Sequence, residues 1–289
     1  MKRYLSLTLA SVLFVTFTTS CKSTKEFATL AQAGTSYTTA MDRLLLATQE
    51  VEIDSTSERL LQDDTASNLS VKQYRNLSDP NEQTIKLIAL LRTHVKLLSR
   101  YFGLLQELAT SNAPGRAKTS INGVIDNLNS VSKEIHGSSL VQANVKSGAG
   151  LITSAIISGK IRGALKEELN ARKDTIEKEL FLQEELLKFL STELTGELAV
   201  IKQTREQRLV IFPLTSETPI ANADGWINNR RTILTMSLVS QELNTASNSV
   251  KKLREAFGDL VSDKLTLDRV NSLLDDFDSL LTIAEKLKS

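Results

Sequence analysis

The chain is poor in the residues that interrupt helices or build special sites. Its 289 residues include 1 cysteine, 2 histidines, 4 prolines and 12 glycines, and aromatic residues make up 5%. A single thiol excludes an internal disulfide and a zinc site built from several cysteines. Scarce proline and glycine argue against a loop-rich or all-β fold. Lysine plus arginine total 35 and aspartate plus glutamate 34, so no basic excess points to a nucleic-acid partner.

The abundant residues follow a helical pattern. Hydrophobic residues make up 41% of the chain, and they recur at spacings of three and four residues, which places them on one helix face. One unbroken run of this kind consists of Met236, Val239, Leu243, Ala246, Val250, Leu253, Phe257 and Leu260. The pattern predicts an all-α fold, an elongated antiparallel helical bundle of about five to six helices.

Helix ends are predicted from the same spacing and from capping residues. The first helix is expected to end near Val51, and the second to run from about Asn81 to Thr110 with Pro80 at its start. The longest helix is predicted from about Lys160 to Arg208, which at a rise of 1.5 Å per residue is roughly 70 Å. A helix of that length implies an elongated molecule, and we expect residues 21–289 to form one domain.

The N-terminus has the composition of an export signal. Met1-Lys2-Arg3 precedes an uncharged apolar run from Tyr4 to Phe17, and Thr18, Thr19, Ser20 and Cys21 follow. This end resembles the lipobox of bacterial lipoproteins, in which small residues precede a cysteine that is acylated before cleavage. Thr18 departs from the pattern, which usually has an aliphatic residue there. The same residues also fit an uncleaved helical anchor or an ordinary secretory signal.

The resemblance implies an address for the protein. Residues 1–20 are then a signal peptide, and Cys21 carries diacylglycerol and a fatty acid such as palmitate. The lipid anchor makes a membrane of the bacterial cell envelope one partner. Lys22, in place of an aspartate, favours the outer membrane, facing the periplasm or the cell surface. We also expect a protein partner, whose identity the sequence does not give.

Sequence motifs for catalysis or cofactor binding are missing. There is no Glu-x-x-His pair, no Cys-x-x-Cys-His haem site, no glycine-rich phosphate loop and no Gly-x-Ser-x-Gly motif. His94 lies on an apolar helix face, where a hydrogen-bonded or half-exposed histidine is expected in preference to a ligand. We therefore expect a structural or protein-interaction role with no catalytic activity, no cofactor and no metal site.

Residues 147–159 form an uncharged, glycine-containing segment between Lys146 and Lys160. We expect it to be a tightly packed helix start, because small residues let helices approach closely. The alternative is a segment that enters a membrane. In that respect the chain resembles helical pore-forming toxins of the cytolysin A type, which implies a membrane-active or membrane-remodelling bundle as the second possible function. The residues on which the two alternatives depend are Leu151, Ile152, Ile156 and Ile157.

A second apolar segment, Leu209 to Leu214, lies just past the end of the longest predicted helix, and Trp226 follows it. It begins a long connection, Leu209 to Gly225, which we expect to be partly extended because it contains Pro213 and Pro219. Exposed apolar clusters with aromatic residues mark interaction surfaces. The alternative, which we favour from the sequence, is that the segment folds back over the end of the bundle.

Overall fold

The structure, a computed structural model, describes residues 20–64, 70–110, 114–144, 164–235, 237–262 and 264–286. These residues are helical apart from short connections, and no β-strand occurs among them. The all-α prediction is therefore confirmed for the described chain. The helices, in chain order, are α1 Ser20–Asp64, α2 Val71–Thr110, α3 Pro114–Gly137, α4 Ser139–Asn144, α5 Ala164–Arg205, a π-helical segment Glu206–Ile211, α6 Phe212–Thr215, α7 Ala223–Thr235, α8 Ser237–Val261 and α9 Leu267–Lys286.

Helices α1 and α2 lie side by side and run in opposite directions. Near the middle of α1, Arg92 Nε donates a hydrogen bond to Asp42 Oδ1 over 2.8 Å. Further along α1, Asn81 Nδ2 donates to Thr56 Oγ1 over 2.9 Å. Residue numbers that rise along α1 thus fall along α2, so these two helices are antiparallel.

Helix α5 runs parallel to α1. Helix α8 runs antiparallel to α5, because Ser247 bonds to Glu184 and Gly258, later in α8, lies near Glu177, earlier in α5. Leu44 of α1 lies beside Leu190 of α5, and about four turns further along both helices Arg205 Nε contacts Glu58 Oε1 at 2.8 Å. On another face of α5, the hydroxyl of Ser247 in α8 donates to the backbone carbonyl of Glu184, and the guanidinium of Arg254 donates to the carboxylate of Glu184. Helix α5 therefore has neighbours on two sides.

The interior is filled by the apolar faces of the long helices. The rings of Tyr37 in α1 and Phe277 in α9 lie with their centroids 5.4 Å apart, so the last helix packs against the first. In α8, Val250, Leu253 and Phe257 are buried, as the spacing predicts. Complete burial of such a side chain stabilises the fold by about 1.5–3 kcal/mol. The largest fully buried side chains are Tyr37, Tyr101, Phe102, Phe257, Phe277, Leu30, Met41, Leu45, Leu87, Ile88, Leu91 and Leu98.

Several helix ends differ from the sequence prediction. Helix α1 continues to Asp64, and α2 begins at Val71, so Pro80 lies inside a helix instead of at its start. Proline removes one backbone hydrogen bond of a helix. The bond from Asn81 to Thr56 holds this part of α2 against α1, which offsets that loss.

The lengths and number of helices differ as well. The longest described helix is α1 with 45 residues, whereas α5 has 42. The described residues contain more helices than about five to six, because α4, α6 and α7 are short helices in stretches where the pattern predicts connections. These short elements do not repeat the apolar spacing for long enough to be recognised.

The two ends of α1 define a proximal end and a distal end of the molecule. The proximal end is where α1 begins at Ser20, beside Cys21. The distal end is where α1 ends at Asp64, α2 begins at Val71, and α5 passes into the π-helical segment. With 45 residues, α1 separates these ends by about 65 Å. None of the described helices is both long and apolar enough to cross a membrane.

Candidate interaction surface at the distal end

The large exposed hydrophobic side chains that the structure describes all lie at the distal end. One group lies in the last turns of α1 and the first turns of α2, and the other lies in the tip, which we define as residues 206–235. Among the side chains that the structure describes, this set is Ile53, Leu61, Val71, Tyr74, Ile211, Phe212, Leu214, Ile227 and Leu234. Exposed apolar groups concentrated on one surface mark an interaction site.

The tip begins where α5 widens into the π-helical segment. Pro213 has no N–H, and in an α-helix its ring would clash with the carbonyl of Leu209. The backbone instead takes i to i−5 bonding, with the N–H of Phe212 donating to the carbonyl of Gln207. The short α6 follows, and the chain then becomes extended at Ser216. Segments of π-helix are rare and occur often at functional sites.

Trp226 holds α7 against the π-helical segment. Its indole Nε1 donates to the carbonyl of Val210 over 3.1 Å. Val210 of the π-helical segment and Ile233 of α7 are both buried. An open cleft of about 430 Å³ lies between the two elements, with Arg208, Leu209, Pro219 and Trp226 among its lining residues.

Two arginines fasten the end of α5 to α1. Arg205 Nε donates to Glu58 Oε1 over 2.8 Å, and Arg208 Nη2 donates to the same oxygen over 2.7 Å. Arg205 also reaches Asp54 Oδ2 at 2.8 Å. Partial burial alone would raise the pKa of Glu58, but hydrogen bonds from the two guanidinium groups hold it below its ordinary value. The base of the tip is therefore set by charge-assisted hydrogen bonds.

The carboxylate of Glu52, about two turns before Glu58 on α1, is in an electrostatically unfavourable position. Burial and the neighbouring carboxylates of Glu197 and Glu193 raise the pKa of Glu52 to about 7. Glu197 has its own partners, since Arg59 Nη2 lies 3.1 Å from Glu197 Oε1 and the hydroxyl of Ser55 also donates to Glu197. The charged form of Glu52 is therefore disfavoured at this contact between α1 and α5.

The expectation that residues 209–214 fold back over the bundle is correct only for Val210. Val210 is 7% exposed, whereas Ile211, Phe212 and Leu214 are 41%, 55% and 62% exposed. The reason is helical geometry: the segment stays helical through Pro213, so its side chains point in several directions and one face alone meets the bundle.

Sequence reasoning did not identify the rest of the surface. Val71 and Tyr74 fall in a stretch where the pattern predicts a connection, and Ile227 and Leu234 lie on α7, which was not predicted. In the sequence, Val71 and Tyr74 are spaced i, i+3, and Ile227 and Leu234 are spaced i, i+7, with basic residues between them. Such spacing indicates one face of a helix. That signal does not tell an exposed face from a buried one.

A buried polar cluster lies far from this surface, between α2 and α5. Gln183 Nε2 donates to His94 Nδ1 over 2.6 Å, so His94 Nε2 carries the hydrogen that it donates to Glu179 Oε2 over 2.7 Å. The three side chains are 0% (His94), 6% (Glu179) and 1% (Gln183) exposed. His94 is thus hydrogen-bonded and buried, not half-exposed.

The structure describes few of the sequence-predicted site residues. Cys21 lies in the first turn of α1, with its side chain outside the described part. The segment 147–159 lies outside the described residues altogether, and with it Leu151, Ile152, Ile156 and Ile157. Within the described ranges, no group of three or more histidine, cysteine, aspartate or glutamate side chains is placed to hold a metal ion.

Comparison with known proteins gives no relative for this arrangement. No protein-family model matches the chain, and neither a curated protein nor a solved structure matches it.

Proposed function

We propose that this chain is a lipoprotein of the bacterial cell envelope, anchored through acylated Cys21, that acts by contacts at the distal end of an elongated antiparallel helical bundle. In this proposal residues 1–20 are removed, and α1, α2, α5, α8 and α9 form the bundle. The anchor holds the proximal end in a membrane, and the distal end makes the functional contact.

One observation carries the proposal. Every large exposed hydrophobic side chain of the described chain lies at the distal end, whereas Cys21 lies at the beginning of α1. A protein held at Cys21 therefore presents its exposed apolar surface about 65 Å from the anchor. This placement is what a spacer with a contact surface needs.

The buried cluster supports a noncatalytic role. A general acid or base must reach the proton that it transfers, and His94 is sealed from solvent between α2 and α5. Its two ring nitrogens are both occupied by Glu179 and Gln183. The cluster therefore orders two helices and does not offer a reactive group.

Labelling with a palmitate analogue tests the anchor. The wild-type protein is expected to incorporate the label and to partition into detergent, whereas Cys21→Ser is expected to lose the label and to remain as precursor or soluble protein. Ser20→Ala is the matched control, because a small residue there preserves the lipobox-like end. Label that persists in Cys21→Ser would contradict the proposal.

A further inference from the structure

Basic side chains lie between the exposed apolar side chains of α2. In its first turns, Val71, Lys72, Tyr74 and Arg75 are all exposed. The first acidic residue of this helix is Asp79, two turns after its start. An exposed helix start that combines apolar, aromatic and basic side chains is suited to an anionic partner.

The same combination occurs on α7. Ile227, Arg231 and Leu234 are spaced i, i+4 and i+7, so they share one helix face, and Arg230 lies beside them. All four are exposed. Two separate helices of the distal end therefore present apolar groups interleaved with cations.

The acidic groups of this end are partly neutralised within the protein. Glu58 accepts hydrogen bonds from both Arg205 and Arg208. The tip also has two exposed carboxylates, Glu217 in the connection before α7 and Asp224 in its first turn. Asp224 lies on the same helix face as Ile227 and Arg231, two turns before Arg231. Helix α7 carries two arginines, Arg230 and Arg231, against this one carboxylate.

The shape of the surface decides between a lipid surface and a protein groove or ridge. The cleft of the tip is lined by other residues, and none of the exposed hydrophobic side chains of the tip is among them. Phe212 and Leu214 protrude from the short α6 and are more than half exposed. Protruding apolar side chains at an end that also exposes cations match the boundary between lipid headgroups and acyl chains, which is fluid and needs no complementary groove.

We propose that the distal end docks on a second, anionic lipid surface. Phe212, Leu214 and Ile227 enter the headgroup and acyl boundary, and Arg230 and Arg231 contact the headgroup phosphates. The inference rests on the proposed function, in which Cys21 holds the proximal end in a first membrane. The protein then links two membranes across the length of α1.

Vesicle tethering tests the inference with the acylated protein. Donor vesicles carry the protein through its anchor, and fluorescent acceptor vesicles contain either zwitterionic lipid alone or about one third anionic lipid. Donors are expected to recruit the anionic acceptors, and recruitment should fall as salt is raised, because the headgroup contacts are screened. Protein content of the donors, measured separately, shows whether the anchor itself has failed.

Variants locate the contact. Phe212→Ser with Leu214→Ser should lower recruitment at least about tenfold, since two apolar side chains no longer leave water. Arg230→Gln with Arg231→Gln should lower it about fivefold per arginine on anionic acceptors. The control, Lys133→Gln with Lys178→Gln, removes two exposed charges away from the distal end and should leave recruitment unchanged.

Trp226 gives an independent readout, because it is the one tryptophan of the sequence and lies in the tip. Brominated acceptor lipids should quench its fluorescence in the wild type and not in the Phe212→Ser, Leu214→Ser variant. The inference is overturned by recruitment that the tip variants leave unchanged, by no recruitment despite normal donor loading, or by donors that cluster without acceptors, which indicates a second copy. Release of dye from acceptors would overturn it in favour of a pore-forming function.

Discussion

The ring of Phe102 in α2 lies directly against Gly34 in α1, so that a Cβ built on Gly34 would come within 2.5 Å of Phe102 Cγ. Phe102 is 1% exposed, and its ring has no open space into which to move. The absent side chain of Gly34 is therefore what allows the two helices to approach here.

Gly34→Ala should destabilise the protein by about 1–3 kcal/mol, because it overpacks the interior. Gly103→Ala is the matched control, since a Cβ there meets nothing within 4 Å. That change should stabilise the helix by about 0.4–1 kcal/mol. Denaturant unfolding measures both, and equal effects would contradict the contact between Gly34 and Phe102.

Tyr37→Phe should stabilise the protein. The hydroxyl of Tyr37 is buried and has no hydrogen-bond partner among the described residues, and burial raises its pKa far above the ordinary value. Removing an unsatisfied buried group recovers about 1–3 kcal/mol. Thermal unfolding checks this, with Tyr74→Phe as control because Tyr74 is exposed. A lower melting temperature for Tyr37→Phe would mean that its hydroxyl has a partner.

Glu179→Ala should cost about 1–3 kcal/mol, because it leaves the neutral ring of His94 buried without the acceptor for its Nε2 hydrogen. Lys178→Ala, at the exposed neighbouring position, should change the free energy of unfolding by less than about 0.5 kcal/mol. Replacing His94, Glu179 and Gln183 together by leucine should restore most of the stability, because no buried polar group is then left unpaired. A triple variant as unstable as Glu179→Ala would show that packing, and not polar pairing, sets the cost.

Glu52→Gln should stabilise the protein at neutral and alkaline pH. The pKa of Glu52 is raised from an ordinary value of 4.5 to about 7, so the folded state holds this proton more tightly than the unfolded state. Stability is therefore present at acidic pH and is lost as the pH rises through this range. The gain above pH 7 should be about 1 kcal/mol, since the group is partly exposed.

The pH dependence of unfolding tests the Glu52 prediction directly. Between about pH 4.5 and 7 the stability of Glu52→Gln should vary less than that of the wild type. Glu50→Gln, at an exposed position, should reproduce the wild-type profile. A parallel profile for Glu52→Gln would show that Glu52 has no raised pKa.

Leu253→Ala should cost about 2–5 kcal/mol. Leu253 is 0% exposed, in the middle of the apolar run of α8, and Lys251 nearby is exposed. Lys251→Ala should therefore shift the free energy of unfolding by less than about 0.5 kcal/mol. Equal losses in the two variants would indicate a different helix register.

The sequence predicts best where a pattern repeats over many turns. The apolar face of α8 around Leu253 follows from spacing alone, because a residue's face on a helix is fixed by its number. The place of His94 on an apolar face follows in the same way, whereas its complete burial and its bonds to Glu179 and Gln183 are shown only by the structure. Helix ends are predicted less well. The inclusion of Pro80 within α2 depends on a contact with α1, which no local pattern records.

The sequence by itself determined the helical class, the inward faces of the long helices and the expectation of an anchor at Cys21. Only the tertiary structure decided that Phe212 and Leu214 are exposed while Val210 is covered, and that Val71 and Ile227 lie at the same end. The physical reason is that spacing assigns a side chain to a face of its own helix, whereas exposure depends on which other helix reaches that face. Phe212 and Leu214 are exposed because they follow the end of α5 at the same end of the molecule where α1 ends.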